Sequence, residues 1–426
     1  MQRLIALALA NNRDLRVSAL NVQAANAQYR IQRAAFFPTV NASGIAQAEK
    51  IPSDVIESST SSAGVGTVTA ANQGPGSVTV HYYNVGVGFT SYELDFFGKI
   101  QSLNRAALEQ YFGYEETRRS SQISLIAEVA AAYLVIAADR AILKITQETL
   151  SAQMATLDLI SRSLDAGTST ALALRQAEIT VDTALANLAS YARQLEQDRN
   201  TLALLIGGTL EDDAELADDL ESAPQPAELP ADLPSSILTR RPDVRAAEHQ
   251  LIGANADIGA ARAAFFPSIS LTGNFGSASS QLSGLFKHGS QAWTFAPQIN
   301  LPIFAGGANL ANLDLAKIQK NIYIAQYEKA IQSAFREVDD ALAARGTLDE
   351  QLAAQRALVD ATAGAYGLSN LRFRNGVDSF LPVLDAQRSL YSAQQGLINL
   401  QLARLQNMAT LYKALGGGLK EHSESL

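Results

Sequence analysis

Short segments of the chain alternate apolar and polar residues with a period of two. In the segment 268–275, isoleucine, leucine and phenylalanine alternate with serine, threonine and asparagine, and the segments 84–90 and 294–301 repeat the pattern. Such segments, when they reach about ten residues, are typical of membrane-barrel strands. Each segment alone also fits a half-buried hairpin of a soluble domain. We predict one strand pair in each half of the chain, at 39–94 and at 268–302.

The number of strands constrains how such a sheet could lie in a membrane. Four strands cannot close a barrel, which needs about eight or more strands. Open strand edges are not tolerated in lipid, because their backbone groups would have no hydrogen-bond partner. One chain would therefore supply only part of a barrel wall, and three copies would supply twelve strands.

The rest of the pattern is helical and unusually long. Apolar residues at a spacing of three to four continue from Gly98 to about Asp165, and a second helix follows the turn at Gly167. The same pair recurs at 308–374 and 382–416. A helix of ~65 residues is roughly 100 Å long and is stable only against other helices. The last helix carries two apolar stripes, which suits a closed ring, whereas a soluble coiled-coil hairpin would leave the alternating strands unexplained.

The sequence contains an internal repeat. Residues 14–38 and 243–267 align in one register, and both end in the identical block Arg-Ala-Ala-Phe-Phe-Pro. An identity of this length inside a matching register argues against chance, so each half should hold the same elements. We divide the chain into a first repeat at 1–210 with a helical hairpin at 98–207, an acidic proline-rich linker at 211–236, a second repeat at 237–416 with a helical hairpin at 308–416, and a C-terminal tail at 417–426.

Composition and motifs argue against most other function classes. The formal net charge is -9, whereas a nucleic-acid partner needs a clustered basic face. There is no cysteine and the four histidines stand far apart, so we expect no metal site and no cofactor. Neither a phosphate-binding glycine loop nor a serine-hydrolase elbow is present, so we expect no enzyme. The best apolar run, 126–138, contains Glu128 and is too short to span a bilayer as a helix, which takes roughly 20 residues.

Several motifs together carry a resemblance to a known family. Residues 240–248 read RRPDVRAAE and lead into ARAAFFP. The motifs YELDFFG at 92–98 and LPIFAGG at 301–307 stand where strands are predicted to give way to helices, and RFRNG at 372–376 stands at the second helical turn. On these motifs, which extend over essentially the whole chain, the sequence resembles the TolC-type outer-membrane efflux channels that partner RND-type pumps, in the NodT/OprM-like subfamily.

The resemblance implies a fold, an assembly and partners. It implies a mainly α chain with a transmembrane β portion, in which a homotrimer builds a twelve-stranded barrel continuous with a periplasmic barrel of twelve helices. It further implies a passive duct for drugs and other small toxic compounds, set in outer-membrane lipid and joined to a periplasmic adaptor protein and an inner-membrane RND transporter. A type I protein-secretion duct and a pore-free periplasmic tether stay open as alternatives. A native signal peptide and a lipidated cysteine also stay open.

The resemblance also assigns candidate residues to the two helical turns. The turns should converge at the periplasmic end, where Asp385 aligns with an acidic gate position of the family. Three such carboxylates around one lumen would favour cations, although a first-turn acid also suits the helix dipole. Asp378 and Arg374 would pair between neighbouring copies. The other assignments are Arg175 and Gln176 as gate residues, Gly167, Thr168, Gly376 and Val377 as adaptor-docking tips, and Phe36, Phe37, Pro38, Phe265, Phe266, Pro267, Gly98, Gly306 and Gly307 as structural junctions.

Physical arguments support the junction assignments. Phe-Phe-Pro should end a helix, because proline disfavours the α conformation in the residue before it. The glycines at 98, 306 and 307 permit a sharp return of the backbone. Arg241 and Asp243 flank Pro242, and we expect them to form a local ion pair or a helix cap.

Overall fold

The computed structural model describes residues 1–52, 77–210, 216–222 and 235–417. Residues 53–76 of the first predicted strand pair, much of the predicted linker and nearly all of the predicted tail lie outside the described residues. Within the described part the chain is mainly helical with four strands. The helices are α1 (Gln2–Asn11), α2 (Arg13–Ala34), α3 (Lys99–Asp165), α4 (Ala171–Ile206), α5 (Pro242–Ala263), α6 (Ala308–Arg374) and α7 (Leu381–Ala414), and the strands are β1 (Val40–Pro52), β2 (Ser77–Leu94), β3 (Ser268–Ser279) and β4 (Gln291–Asn300).

The chain divides into two compact units that do not follow the repeat boundary. The first unit comprises Met1–Ala25, Gln110–Leu251 and Ile322–Leu426, and the second comprises Asn26–Glu109 and Ile252–Asn321. Each unit contains segments of both repeats, because equivalent segments of the two repeats pack together. The first unit is helical, and the second unit holds the sheet.

The four strands of the second unit form one antiparallel sheet in the order β1-β2-β3-β4. Among the described residues, β1 and β4 therefore each have a neighbouring strand on one side only. The register gives the sheet one apolar and one polar face, as the alternation predicts. One apolar row runs Ala42, Val87, Phe275 and Trp293, and the adjacent row on the opposite face runs Asn41, Gly88, Asn274 and Thr294.

A β-bulge interrupts the register of β2 near its end. The pairing with β3 shifts between Phe89 and Tyr92, and Ser91 takes a positive φ of 56°. The amide of Ser91 donates to the hydroxyl of Thr272 over 3.3 Å. Because a bulge bends its strand, this one redirects β2 just before the chain returns to a helix.

The junction residues lie in the second unit at the ends of α2 and α5. The amide of Phe37 donates to the carbonyl of Ala34, and the amide of Phe266 donates to the carbonyl of Ala263, so each helix closes with a short turn before its proline. The Phe97 and Phe266 rings stack with centroids 4.9 Å apart. At the start of the long helices, Gly98, Gly306 and Gly307 take φ of 75°, 57° and 87°, a region that glycine adopts without strain.

The core of the first unit is built around the middle of α3. Val129, Leu134 and Ile136 are completely buried there. Leu4 and Ala8 of α1 join the same cluster, as do buried leucine and isoleucine side chains of α4 and α7. Helices from both repeats therefore share one apolar core.

The long helix α3 contains a stretch that is apolar and long enough to cross a membrane by length and composition. By this measure the apolar stretch is longer than the run at 126–138 noted from the sequence. Half of that stretch is buried inside the chain. Because the core side chains Leu134 and Ile136 lie in α3, we interpret the stretch as the centre of a packed helical core.

Candidate functional site

Both helical hairpins turn through the same backbone motif. Gly167 and Gly376 take φ of 73° and 70°. At each turn the amide of the next residue donates to the carbonyl five positions earlier, over 2.8 Å at Thr168 and 2.9 Å at Val377. This is the glycine-terminated helix end that leaves few carbonyls without a partner. All four residues are exposed, which is compatible with the predicted docking role.

One apolar cluster in the first unit holds the two tips together. Ile160 of α3, Ala177 of α4 and Leu384 of α7 are buried in it, together with Phe380 just before α7. The ring of Phe373, at the end of α6, lies 5.3 Å from that of Phe380. Because residues of both repeats share this cluster, separating the tips requires exposing it to water.

Asp378 forms an ion pair within its own chain that was not predicted from the sequence. Arg372 donates to its carboxylate over 3.0 Å, while the pairing of Asp378 with Arg374 of a neighbouring copy stays a prediction. The hydrogen bond from Arg372 lowers the pKa of Asp378 below its usual value. The two partners stand six positions apart across the glycine turn, so the pair closes the tip within one chain. Arg374 forms no ion pair with another described residue.

The remaining predicted gate residues lie close to the tips but are not joined to each other. Asp385 is exposed in α7 just after the first turn, which holds no acidic residue, and its carboxylate has no hydrogen-bond partner among the described residues. Arg175 pairs with Glu178 on its own helix over 2.7 Å. Gln176 is half-buried directly before Ala177. The carboxylate of Asp385 is therefore available to face a lumen or a partner.

Arg241 ties together three helices of the first unit. Its side chain is buried, and its guanidinium donates to Asp243 over 3.0 and 2.8 Å. The predicted local ion pair is therefore confirmed. The same guanidinium donates to Glu337 of α6 over 2.7 Å and to the carbonyl of Ala414 at the end of α7 over 2.8 Å. We call this group, Arg241 with Asp243, Glu337 and Ala414, the arginine clasp.

A carboxyl pair between α3 and α4 was not predicted. Burial, and then the hydrogen bond and charge of Asp198, raise the pKa of Asp139 to about 7. One carboxyl oxygen of Asp139 is buried and has no hydrogen-bond partner among the described residues, while Asp198 accepts from Gln194 over 2.8 Å. Burial and the neighbouring carboxylate of Asp198 therefore both make a negative charge on Asp139 unfavourable. Only their spacing in three dimensions reveals the pair, because they stand 59 positions apart in sequence (198 less 139).

Among the residues that the structure describes, no group of three or more histidine, aspartate or glutamate side chains could hold a metal ion. The polar groups with specific geometry are instead the two tips, the arginine clasp and the carboxyl pair. All of these belong to the first unit. They position helices relative to each other and offer no arrangement of nucleophile and base.

Known proteins resemble this chain over almost its whole length. The family described as "Outer membrane efflux protein" matches residues 4–208 and 233–417, that is, each repeat once. The "Probable efflux pump outer membrane protein TtgC" of Pseudomonas putida is 49% identical over 99% of this chain and 84% of its own length. The "Outer membrane protein OprJ" of Pseudomonas aeruginosa is 43% identical over 99% of this chain and 85% of its own.

A solved structure agrees with the fold. The open state of the MtrE outer membrane channel of Neisseria gonorrhoeae matches with a TM-score of 0.85 and 40% identity, covering 100% of this chain and 90% of that one. The TolC-like fold predicted from the sequence is thereby confirmed. The chain belongs to the outer membrane efflux protein family, and its location is the outer membrane.

Proposed function

We propose that three copies of this chain form one exit duct across the outer membrane and the periplasm. The observation that carries the proposal is the four-stranded sheet with two open edges. β1 and β4 each present a row of backbone groups without a strand partner, and each unsatisfied group in lipid costs several kcal/mol. Joining β4 of one copy to β1 of the next pairs both rows, and three copies close a ring of twelve strands, within the range known for such barrels.

The two faces of the sheet support the same arrangement. Trp293 and Phe275 of the apolar face are 75% and 64% exposed in the single chain. The described residues leave both side chains largely uncovered, so outer-membrane lipid is their expected neighbour. The polar row with Asn41, Asn274 and Thr294 then lines a water-filled lumen.

The partners follow from the task of an efflux duct. The cargo of a pump must cross the periplasm, so the duct needs an inner-membrane transporter, here of the RND class, and a periplasmic adaptor. The exposed turns around Gly167 and Gly376 are the docking points we propose for the adaptor. The relative from Pseudomonas putida is named as part of an efflux pump, which favours small toxic compounds as cargo over the proteins of a type I secretion duct.

The gate in this proposal is a ring of three Asp385 carboxylates at the tips. Asp385 is exposed and its carboxylate contacts no partner in the described part of the chain, which leaves it free to face a shared lumen. The pair between Arg372 and Asp378 keeps each second tip closed on itself. Opening then separates the tips and exposes their apolar cluster to water. Adaptor binding shifts the equilibrium between the closed and open tips toward the open form.

The proposal is tested by the mass and the conductance of the purified protein. In detergent we expect the mass of a trimer, and in a planar bilayer we expect discrete steps of ion conductance. A periplasmic tether would give a stable, water-soluble protein without conductance. A folded monomer that conducts no ions would contradict the duct.

A variant of Asp385 tests the gate separately. Asp385→Asn removes three charges from the proposed ring, so the preference for cations over anions is expected to fall several-fold in bilayer recordings. The matched control is Asp360→Asn, because Asp360 is also exposed but lies within α6, away from the tips. An unchanged ion preference in Asp385→Asn, or an equal change in the control, would exclude the acidic ring.

A further inference from the structure

In both repeats three helices meet at equivalent positions, but the side chains at this joint differ between the repeats. In each repeat the start of a helix meets the middle of a long helix and the last turn of another. The register of the repeats pairs Asn12 with Arg241, Asp14 with Asp243, Glu128 with Glu337, and Leu205 with Ala414.

In the second repeat this joint holds a guanidinium. Arg241 donates to both carboxylates, of Asp243 and Glu337, and to the carbonyl of Ala414. All three acceptors therefore serve one cationic group. The second repeat shows directly which chemistry this set of positions binds.

In the first repeat the arginine is missing and the acceptors remain. Asn12 is buried and donates to the carbonyl of Leu205 over 2.9 Å, which matches the bond from Arg241 to Ala414. Its side-chain oxygen accepts from the backbone amide of Leu15 over 2.9 Å, and no hydrogen bond joins it to Asp14 or Glu128 among the described residues. The carboxylates of Asp14 and Glu128 have no hydrogen bond or ion pair with any described residue.

A cavity lies where the missing side chain would be. Its volume is about 450 Å³, and Asn12, Asp14, Glu128 and Leu205 all line it. Asp243 also borders it, so the lining carries three carboxylates. The lining also includes the hydroxyls of Ser120 and Ser124 and the apolar side chains of Leu15 and Leu125.

We propose that this cavity binds a small organic cation that carries a guanidinium or a primary ammonium group. The head group would take the place that Arg241 takes in the second repeat. Its N–H groups would donate to the carboxylates of Asp14 and Glu128. A short alkyl stem fits against the two leucines, and the volume accommodates both parts. The acidic residues alone would not identify a ligand; the occupied copy of the same joint does. The site is separate from the proposed gate and does not depend on conduction.

The test uses the purified full chain in detergent and agmatine, which has a guanidinium at one end and an ammonium at the other. At constant ionic strength, agmatine is expected to raise the melting temperature in a saturable manner. Tetramethylammonium carries the same kind of charge without N–H donors and is expected to give no saturable shift. An equal response to both cations would overturn the proposal.

Two variants locate the binding. The double variant Asp14→Asn, Glu128→Gln should fold, because neither carboxylate has a partner, and its half-saturating agmatine concentration is expected to rise on the order of tenfold or more. Asn12→Arg places a guanidinium of the chain in the cavity, so its response to agmatine should disappear. A wild-type protein without a saturable response would overturn the proposal, including the case in which an arginine of a neighbouring copy fills the cavity. An unchanged response in the double variant would also overturn it.

Discussion

Replacing Trp293 by lysine is expected to abolish stable assembly in the outer membrane. Trp293 lies on the apolar face of β4 and is 75% exposed in the single chain. A lysine facing lipid costs about 2–4 kcal/mol near the middle of the bilayer and less near its surfaces. A trimer carries the substitution three times, so the total cost rises about threefold. We expect the trimer band on a semi-native gel and the outer-membrane fraction of the protein to fall together.

The neighbouring residue provides a closely matched control. Thr294 is the next residue of the same strand and lies on the opposite, polar face. Thr294→Lys adds the same charge toward the water-filled lumen, so assembly should persist while the ion preference of the channel shifts toward anions. Loss of assembly in Thr294→Lys with retention in Trp293→Lys would mean that the two faces have been assigned the wrong way round.

Much of this fold follows from periodicity, because two periods with different lengths mark the two kinds of element. The helices at Lys99–Asp165 and Ala308–Arg374 match the predicted long patterns, since an uninterrupted stripe at a spacing of three to four residues has no other stable form. The strand faces match for the same reason. The bulge at Ser91 could not be predicted, because it depends on how β2 pairs with β3 and serine gives no sign of a positive φ.

The two tips and the arginine clasp show which contacts could be predicted from the sequence and which could not. Gly167 and Gly376 mark both turns correctly, because glycine tolerates the left-handed conformation that ends a helix. The pair of Asp378 with Arg372 of the same chain was not predicted, although the two residues stand six positions apart across the turn. The pairing of Asp378 with Arg374 of a neighbouring copy stays a prediction. The contact between Arg241 and Glu337 joins residues 96 positions apart, which no local pattern encodes. The internal repeat was the signal that could have found it, since Glu337 and Glu128 are equivalent.

Replacing Arg241 by alanine is expected to lower the free energy of unfolding of the first unit by about 2–3 kcal/mol per chain. Arg241 is 4% exposed, and its removal breaks charge-assisted hydrogen bonds to Asp243, Glu337 and the last turn of α7. Breaking a fully buried pair costs about 3–5 kcal/mol. We expect less, because the side chains of Asp243 and Glu337 are 40% and 38% exposed and regain water.

The measurement is thermal unfolding followed by circular dichroism, in which Arg241→Ala should lower the melting temperature by several degrees. The melting temperature of Arg241→Lys should lie between those of Arg241→Ala and the wild type. Lysine keeps the charge, but its ammonium lacks the planar fork of N–H donors that the guanidinium provides. The control is Arg245→Ala at the start of α5, four positions after Arg241. Arg245 pairs with Glu116 while 42% exposed, and Glu116 keeps a second partner in Arg119, so its loss should cost less than about 1 kcal/mol. Equal destabilisation by Arg241→Ala and Arg245→Ala would show that the clasp adds nothing beyond an ordinary surface ion pair.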